Sequence, residues 1–225
     1  MPSMTPSTKS LRIKEAFYTL QGEGARSGRA SVFIRFSKCN LWNGKESGRE
    51  AAICQFCDTD IVGINGENGG EYSADALLTL AKKLWGDLTN GQPYVVFTGG
   101  EPALQLTVDL VESFKNAGFE TAVESNGTLP LPGNLDWVCI SPKGKSEIVV
   151  PSCNELKMVY PQKDLSPSDV TDIQADHYYL SPMAEYGTDN QGTIVRENMA
   201  DATQYCLDHP TWKMSLQTHK LLGIS

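Results

Sequence analysis

The sequence predicts a single α/β domain whose mostly parallel sheet forms a partial (β/α) barrel. Apolar segments of strand length alternate with amphipathic segments of helix length, a pattern typical of parallel strands joined by crossover connections. Polar and glycine-rich signatures follow the predicted strands and none precedes one, as in sheets that bind ligands at the carboxyl ends of their strands. The strand–helix repeats are too few for a closed eight-fold (β/α) barrel, so we expect the barrel to be partial.

The predicted strands are short runs of apolar, β-branched and aromatic residues. Within residues 31–36 the side chains alternate between two faces, and Arg35 shares the face of Ser31 and Phe33. Cys39 lies just beyond the end of this strand, so Arg35 is expected to point toward it. Strands are predicted at residues 11–17, 31–36, 94–98, 119–123, 137–140, 155–160, 177–180 and 212–216.

Three longer segments have the apolar spacing of a helix face. The first begins after Ser73, a residue type that caps helix N-termini, and ends before Gly86, a typical stop signal. The polar, glycine-containing insert at residues 40–53 shows no such periodicity, and we predict no structure for it. Helices are predicted at residues 73–85, 106–117 and 197–208, with a short helix opened by Ser166 and Pro167.

The composition indicates a soluble globular protein, with 40% hydrophobic and 20% charged residues among 225. A net charge of −8 argues against a nucleic-acid-binding surface, and no apolar run approaches the length of a membrane span. Residues 1–10 are rich in Ser, Thr and Pro and have no apolar signal segment, so we expect a disordered leader before a domain at residues 11–225. Without export, the six cysteines are expected to be thiols or ligands in the cytoplasm.

Three cysteines lie close together: fourteen residues separate Cys39 from Cys54, and two separate Cys54 from Cys57. A [4Fe–4S] cluster held by three cysteines leaves one iron open to a small molecule, whereas a structural zinc ion normally takes four protein ligands. The spacing alone also permits a disulfide, a zinc knuckle or a redox Cys-x-x-Cys pair. Apolar surroundings predict buried thiols for the remaining Cys139, Cys153 and Cys206.

Two further motifs accompany the cysteines: Tyr-Thr-Leu-Gln-Gly-Glu-Gly at residues 18–24 and Thr-Gly-Gly-Glu-Pro at residues 98–102. Together with the cysteines they resemble the radical S-adenosylmethionine (SAM) superfamily and, more narrowly, the 7-carboxy-7-deazaguanine synthase family of queuosine and 7-deazapurine biosynthesis. The resemblance covers nearly the whole chain from about Ile13. The superfamily spacing is usually Cys-x3-Cys-x2-Cys, and the longer spacing here is similar to a subset of the synthase family with an expanded loop. A cluster-binding insert is therefore expected at residues 37–60.

The resemblance implies the radical SAM type of partial barrel, in which Cys39, Cys54 and Cys57 hold three irons of a [4Fe–4S] cluster and SAM chelates the fourth. Gly99 and Gly100 would expose backbone groups to SAM, although such a pair also suits a plain strand-to-helix turn. Phe56, which lies between two cluster cysteines, resembles the aromatic residue that contacts the adenine in the family, with core packing as the alternative. Ser125, Ser141 and Lys143 would also suit surface positions. The implied SAM-binding residues are Phe56, Gly99, Gly100, Glu101, Ser125, Ser141 and Lys143.

The family also binds a pterin substrate and magnesium, and the resemblance implies residues for both. Arg35 would hold the substrate carboxylate in a bidentate fork, unless it forms an ordinary ion pair with an internal acid. Thr59 matches the magnesium ligand, with a local turn hydrogen bond as the alternative. The loop at residues 21–24 would bind the pterin or form a plain turn, and His219 would act as a base or simply pack. The implied substrate-binding residues are Leu20, Gln21, Gly22, Arg35, Thr98, Ser181 and Ser225, the last in place of a proline common in relatives.

The implied reaction is radical ring contraction of 6-carboxy-5,6,7,8-tetrahydropterin to 7-carboxy-7-deazaguanine with loss of ammonia, by a carbon–nitrogen lyase. SAM would serve as a catalytic cofactor that is regenerated in each turnover. The resemblance also implies a homodimer and a flavodoxin- or ferredoxin-type electron donor. Two alternatives stay open: another radical SAM enzyme, such as a glycyl-radical-enzyme activase, and a zinc-stabilised binding protein without catalytic activity.

Overall fold

Strands account for most of the regular structure in the computed structural model, which describes residues 10–87, 89–186, 192–194 and 196–224. The strands are β1 (Leu11–Leu20), β2 (Ala30–Phe36), β3 (Gly70–Tyr72), β4 (Tyr94–Gly99), β5 (Glu120–Ser125), β6 (Trp137–Ile140), β7 (Ser152–Tyr160), β8 (Gln174–Pro182), β9 (Ala184–Tyr186), β10 (Gly192–Ile194) and β11 (Trp212–Met214). The α-helices are α1 (Ala74–Trp85), α2 (Val108–Asn116), α3 (Arg196–Asp208) and α4 (Thr218–Leu222).

One sheet contains nine of these strands in the order β11-β8-β7-β6-β5-β4-β2-β1-β3, and β9 pairs with β10 in a separate hairpin. The seven consecutive strands β11, β8, β7, β6, β5, β4 and β2 pair with one another in parallel, whereas β1 is antiparallel to β2 and β3 is antiparallel to β1. Among the described residues the edge strands β3 and β11 do not pair with each other, so the sheet is open. The predicted partial barrel with a mostly parallel sheet is therefore confirmed.

Helices α1 and α2 cover one face of this sheet because each presents an apolar stripe to it. Leu77 of α1 and Phe114 of α2 belong to the same fully buried cluster as Val32, Ile34 and Phe36 of β2. Truncating a phenylalanine in a core of this kind costs about 3–5 kcal/mol. No helix within the described residues has the length and apolar character that crossing a membrane requires.

Local capping signals set the beginning of both helices. Ser73 accepts a hydrogen bond from the Ala76 amide at 3.2 Å, and α1 stops before Gly86, as the sequence predicts. Helix α2 begins later than predicted because Thr107 is its cap and accepts a hydrogen bond from the Leu110 amide. The helical stretch therefore excludes the first two residues of the predicted segment.

The predicted helices leave the middle of the chain without one, and the structure agrees, although the short helix predicted from Ser166 is a 3₁₀ turn and not an α-helix. Residues 126–173, which the structure describes without a gap, contain no α-helix, and their only helical turn is a 3₁₀ segment at Pro167–Val170. Proline and glycine recur in the connections between β5 and β7, and both residues disfavour helix formation. The short elements β3, β9, β10 and α4 were also not predicted, because five residues or fewer are too short to show a period.

The opposite face of the sheet is closed at the amino ends of the parallel strands. Phe33 and Tyr94 belong to a buried apolar cluster on this face. Beside it the Arg26 guanidinium lies 4.3 Å from the centroid of the Trp137 ring, and Tyr94 and Trp137 are the first residues of β4 and β6. These side chains fill the amino-terminal end of the sheet interior, so a ligand site on this face is left to the carboxyl ends of the strands.

Candidate active site

A cavity of about 860 Å³ lies on the sheet face opposite α1 and α2 and is lined by residues at the carboxyl ends of β2, β4, β5, β6 and β8. Of the predicted site residues that the structure describes, all except Glu101 line it. Ser225 lies outside the described residues. The predicted residues that line the cavity are Leu20, Gln21, Gly22, Arg35, Cys39, Cys54, Phe56, Cys57, Thr59, Thr98, Gly99, Gly100, Ser125, Ser141, Lys143 and Ser181.

The three neighbouring cysteines come together at one end of this cavity. Cys39 Sγ accepts a hydrogen bond from the Leu41 amide at 3.4 Å, and burial raises the pKa of the Cys39 thiol. The hydrogen bond between Cys54 and Cys57 raises the pKa of Cys54 and lowers that of Cys57 to about 7. Cys57 is therefore the thiol that ionises most easily, and the thiolate is the form that binds metal.

A set of three thiols beside one cavity suits a cluster with one open iron better than a structural zinc ion, which takes four ligands. Among the described residues, no three histidine, cysteine or carboxylate side chains are placed so that they could hold one ion. A structural zinc ion would need four such ligands around one point. A [4Fe–4S] cluster binds each cysteine through a different iron, so its ligands surround a larger volume.

Gly99 and Gly100 bring the end of β4 into direct contact with the segment that contains Cys39. A Cβ atom on Gly99 would lie 2.2 Å from the Phe36 carbonyl oxygen, and one on Gly100 would lie 1.9 Å from the Lys38 carbonyl oxygen. The Gly100 amide donates to the Phe36 carbonyl at 3.1 Å. Glycine is therefore required at both positions for backbone packing beside Cys39, a requirement that is separate from any contact with SAM.

Glu101 does not line the cavity, contrary to its predicted place among the residues that contact a cofactor. Its side chain is fully buried, and its carboxylate accepts hydrogen bonds from the Ala103 amide, the Ser125 hydroxyl and the Asn126 amide at 2.8–2.9 Å. Burial raises the pKa of Glu101. The carboxylate thus joins the loops that follow β4 and β5 and holds Ser125 in place.

Lys143 connects two other predicted SAM-binding residues. Its Nζ donates to the Ser141 hydroxyl at 2.6 Å and lies 5.5 Å from the centroid of the Phe56 ring. Ser141 directly follows β6, while Phe56 lies in the turn between two cysteines. The loop after β6 and the cysteine turn therefore form adjoining parts of the cavity wall.

The loop that follows β1 reaches the cavity by crossing the sheet face that lies opposite α1 and α2. Because β1 is antiparallel to β2, Leu20 pairs with Ala30 at the amino end of β2, opposite to the end where Cys39 lies. Gln21 nevertheless donates to the Glu124 carboxylate at 2.9 Å. A Cβ atom on Gly22 would lie 2.0 Å from the His219 ring, whose pKa is lowered by burial. The loop therefore lies between β5 and the C-terminal segment, and is more than a plain turn.

Three of the predicted site residues differ in whether their side chains have hydrogen-bond partners within the protein: Arg35, Thr59 and Ser181. Arg35 Nε donates to the Glu15 carboxylate at 2.7 Å, so the ion pair that the sequence left open is present at the cavity wall. The Thr59 hydroxyl donates to the Asp58 carboxylate at 3.3 Å, which is the local hydrogen bond considered above. Ser181 is 6% exposed, and its hydroxyl has no hydrogen-bond partner within the described part of the chain.

Known proteins resemble this chain over nearly its whole length. It is 48% identical to 7-carboxy-7-deazaguanine synthase from Bordetella pertussis, across 94% of this chain and 98% of that protein. The corresponding protein of Bradyrhizobium diazoefficiens is 49% identical across 96% of this chain and 99% of its own. The chain belongs to the 7-carboxy-7-deazaguanine synthase family.

The fold of this synthase-family chain is also similar to a solved structure. The crystal structure of QueE from Escherichia coli superposes with a TM-score of 0.68, covering 92% of this chain and 94% of that one, at 22% sequence identity. No family model matches the chain. At this identity the structural likeness concerns the fold, while the assignment to the synthase family depends on the sequence relatives.

A buried lysine in this member of the synthase family was missed by the sequence analysis. Lys157 lies on β7 at the cavity wall, with its Nζ 2.7 Å from the Glu23 carboxylate and 3.2 Å from that of Glu124. Burial alone would lower the pKa of Lys157, but the charges of Glu124 and Glu23 hold it well above its usual range. Burial alone would raise the pKa of Glu23, and Lys157 outweighs this effect and holds it at about 2.

The sequence does contain a signal for this lysine. Along β7 the apolar Leu156 and Met158 alternate with Glu155 and Lys157, and all four are buried. Charged side chains at every second position of a strand that is buried on both faces indicate an internal polar site. That pattern places Glu155 and Lys157 on the cavity side of the sheet, since Leu156 and Met158 occupy the apolar core on the other side.

Proposed function

We propose that this chain is a radical SAM enzyme that converts 6-carboxy-5,6,7,8-tetrahydropterin to 7-carboxy-7-deazaguanine with loss of ammonia. The observation that supports this activity is one cavity whose wall contains both the three cysteines and the Gln21–Gly22 loop. Its volume of about 860 Å³ is within the range of sites that bind small molecules and cofactors. Substrate and product differ by ammonia, so the reaction requires no net oxidant.

Cys39, Cys54 and Cys57 would hold a [4Fe–4S] cluster in this enzyme. When bound, the cluster and SAM would supply reversible hydrogen-atom abstraction from the substrate, with SAM regenerated when the hydrogen atom returns. The backbone at Gly99 and Gly100 borders the cysteine segment and would orient the amino end of SAM. Phe56, Ser125, Ser141 and Lys143 line the adjoining wall, where the nucleoside would bind, and Glu101 would position Ser125.

The substrate would bind between Arg35 and the loop after β1. Arg35 would hold the substrate carboxylate, with Glu15 fixing the orientation of the guanidinium. Leu20, Gln21 and Gly22 would offer backbone groups to the pterin ring. Thr98 and Ser181 are both buried at the same cavity, and the unpartnered hydroxyl of Ser181 would donate to or accept from the substrate. The contact proposed for the C-terminal Ser225 lies outside the described residues.

Thr59 would supply one hydroxyl ligand to a magnesium ion shared with the substrate. Magnesium keeps several waters and commonly takes its remaining ligands from the substrate, so a single protein ligand is sufficient. The ion would stabilise negative charge that develops during ring contraction. In this arrangement the Thr59 hydroxyl would exchange its hydrogen bond with Asp58 for the metal.

We infer the assembly and location of the enzyme from its resemblance to the family and not from its geometry. A homodimer in the cytoplasm, reduced by a flavodoxin- or ferredoxin-type protein, is the arrangement that we propose. Sedimentation of the reconstituted protein tests the dimer, and reduction of the cluster by each class of donor tests the electron source.

Replacing Arg35 by alanine is expected to weaken substrate binding selectively. Loss of a charge-assisted contact of roughly 1.5–3 kcal/mol raises KM for the carboxypterin about 10- to 100-fold. Steady-state kinetics with varied carboxypterin measures this effect, and equilibrium binding of SAM is the control that should not change. The Arg35→Lys variant keeps the charge without the fork and should be intermediate. An unaltered KM in Arg35→Ala would remove the proposed carboxylate contact.

Anaerobic turnover tests the proposed reaction as a whole. Protein with a reconstituted cluster is incubated with SAM, magnesium, a reductant and the carboxypterin, and the products are identified by mass spectrometry. We expect 7-carboxy-7-deazaguanine and ammonia in equal amounts, without net consumption of SAM. Cleavage of SAM that does not depend on the carboxypterin would favour another radical SAM activity. Stoichiometric zinc without iron or sulfide would favour a binding protein.

A further inference from the structure

The insert between Cys39 and Cys54 is a folded unit organised around a buried tryptophan. Leu41 and Trp42 are each 8% exposed, although the surrounding insert is polar. The Ile53 amide donates to the Leu41 carbonyl at 3.2 Å and joins the two ends of the insert. The Trp42 indole donates to the Lys45 carbonyl at 3.2 Å. The chain therefore leaves Cys39 and returns to Cys54 along a defined path.

Arg49 connects this unit to the turn that contains Cys54 and Cys57. Its guanidinium lies 4.2 Å from the centroid of the Trp42 ring and donates to the Gln55 carbonyl at 2.8 Å and the Cys57 carbonyl at 3.1 Å. Glu46, on the 3₁₀ segment of the insert, accepts from Arg49 Nε at 2.7 Å. A planar guanidinium can stack on an aromatic ring while it donates hydrogen bonds to several acceptors in its plane. The ammonium group of lysine can donate but cannot stack.

We propose that Arg49 is a positioning residue for the cluster. This proposal rests on the [4Fe–4S] site proposed above. By holding two carbonyls of the Cys54–Cys57 turn against Trp42, it fixes where those two thiols lie relative to Cys39. A three-residue spacing would restrict the cysteines through the chain itself, whereas fourteen intervening residues do not. Arg49 and Trp42 supply the missing restriction through side-chain contacts.

The expected consequence of removing Arg49 is faster loss of the cluster with little change in the rest of the fold. Without the guanidinium, the two carbonyls turn to solvent and the cysteine turn gains freedom. Changes in groups that orient metal ligands typically reduce metal affinity about 10- to 100-fold. The contacts of the guanidinium described above all lie within the insert and the cysteine turn, and circular dichroism tests whether the rest of the fold is retained.

Four variants of the anaerobically reconstituted full chain test this role. Arg49→Gln removes the guanidinium, and Arg49→Lys keeps the charge alone. Glu46→Gln removes the ion pair and leaves the carbonyl contacts in place. Arg12→Gln is the matched control, because the Arg12 side chain also forms an ion pair at the surface, with Glu71 of the edge strand β3. The measurements are iron and sulfide per chain, the electron paramagnetic resonance signal with and without SAM, and the rate of cluster transfer to an iron chelator.

We expect both Arg49 variants to lose the cluster about tenfold faster than wild type or more, with an altered resonance signal and unaltered circular dichroism. Glu46→Gln and Arg12→Gln should retain it at the wild-type rate. Wild-type retention in Arg49→Gln would overturn the proposal, as would equal loss in Arg12→Gln. Full rescue by Arg49→Lys would also overturn it, because charge alone would then suffice. If the wild type binds no iron–sulfur cluster, the proposed function fails as well, a result that these comparisons separate from failure of Arg49 alone.

Discussion

Replacing Cys54 by alanine is expected to abolish the cluster and catalytic turnover together. Cys54 is 5% exposed, and the charges of Cys57 and Cys39 act on its thiol, so the three sulfurs lie near one another. The proposed cluster has three cysteine ligands and one iron without a protein ligand, so a chain that keeps only two of these thiols cannot hold it. Iron and sulfide analysis after anaerobic reconstitution, followed by the turnover assay, measures both effects.

A cysteine outside the site provides the matched control for this variant. Cys206 lies on α3 and packs at the edge of a different apolar cluster. Cys206→Ala should keep the full cluster and the wild-type rate, with at most a small loss of thermal stability from the removed sulfur. A complete cluster in Cys54→Ala would contradict the ligand assignment, and loss of the cluster in both variants would point to a general effect of thiol removal.

The elements that could be predicted from the sequence are those defined by local interactions. The strand at residues 31–36 and the helix at residues 73–85 have clear periods, and Ser73 marks the helix start within one residue. The connections from β5 to β7 are predicted without helices, but proline and glycine exclude a helix without specifying the path that the chain takes. The tertiary course of the loop after β1 depends on β1 being antiparallel, which its own residues do not reveal.

The same distinction applies to the candidate site. Cys54 and Cys57 form a motif that is contiguous in sequence, whereas Glu23, Glu124 and Lys157 meet only because three distant segments share one face of the sheet. Their contacts are properties of strand order and register. Arg49 shows the same limit at shorter range, since its importance depends on a fold of the insert that no periodicity in the sequence indicates.

Replacing Lys157 by methionine is expected to produce the largest loss of stability among single changes at the cavity wall. The lysine side chain is 6% exposed and is the cation for both Glu23 and Glu124. Removing one partner of a buried ion pair leaves an uncompensated charge and typically costs about 3–5 kcal/mol. Urea unfolding of the reconstituted protein at neutral pH measures this loss. Lys145→Met is the control, because the side chain of Lys145 is 80% exposed, and an exposed pair contributes about 1 kcal/mol or less.

The pH dependence of this loss separates an electrostatic cause from simple misfit of the methionine. In the wild type, Lys157 holds the pKa of Glu23 at about 2, so the stabilisation is complete above its ordinary value of 4.5 and is lost as pH falls toward 2. In Lys157→Met, burial still raises the pKa of Glu23, and only the hydrogen bond with Gln217 and the charge of His219 oppose it. Glu23 is then protonated at a higher pH than in the wild type, so protonation relieves the penalty as the pH falls. The difference in free energy of unfolding between the two proteins should therefore be largest at neutral pH and decrease on acidification. Adding Glu23→Gln to Lys157→Met should recover part of the lost stability. A difference that is independent of pH and unaffected by Glu23→Gln would instead indicate lost packing.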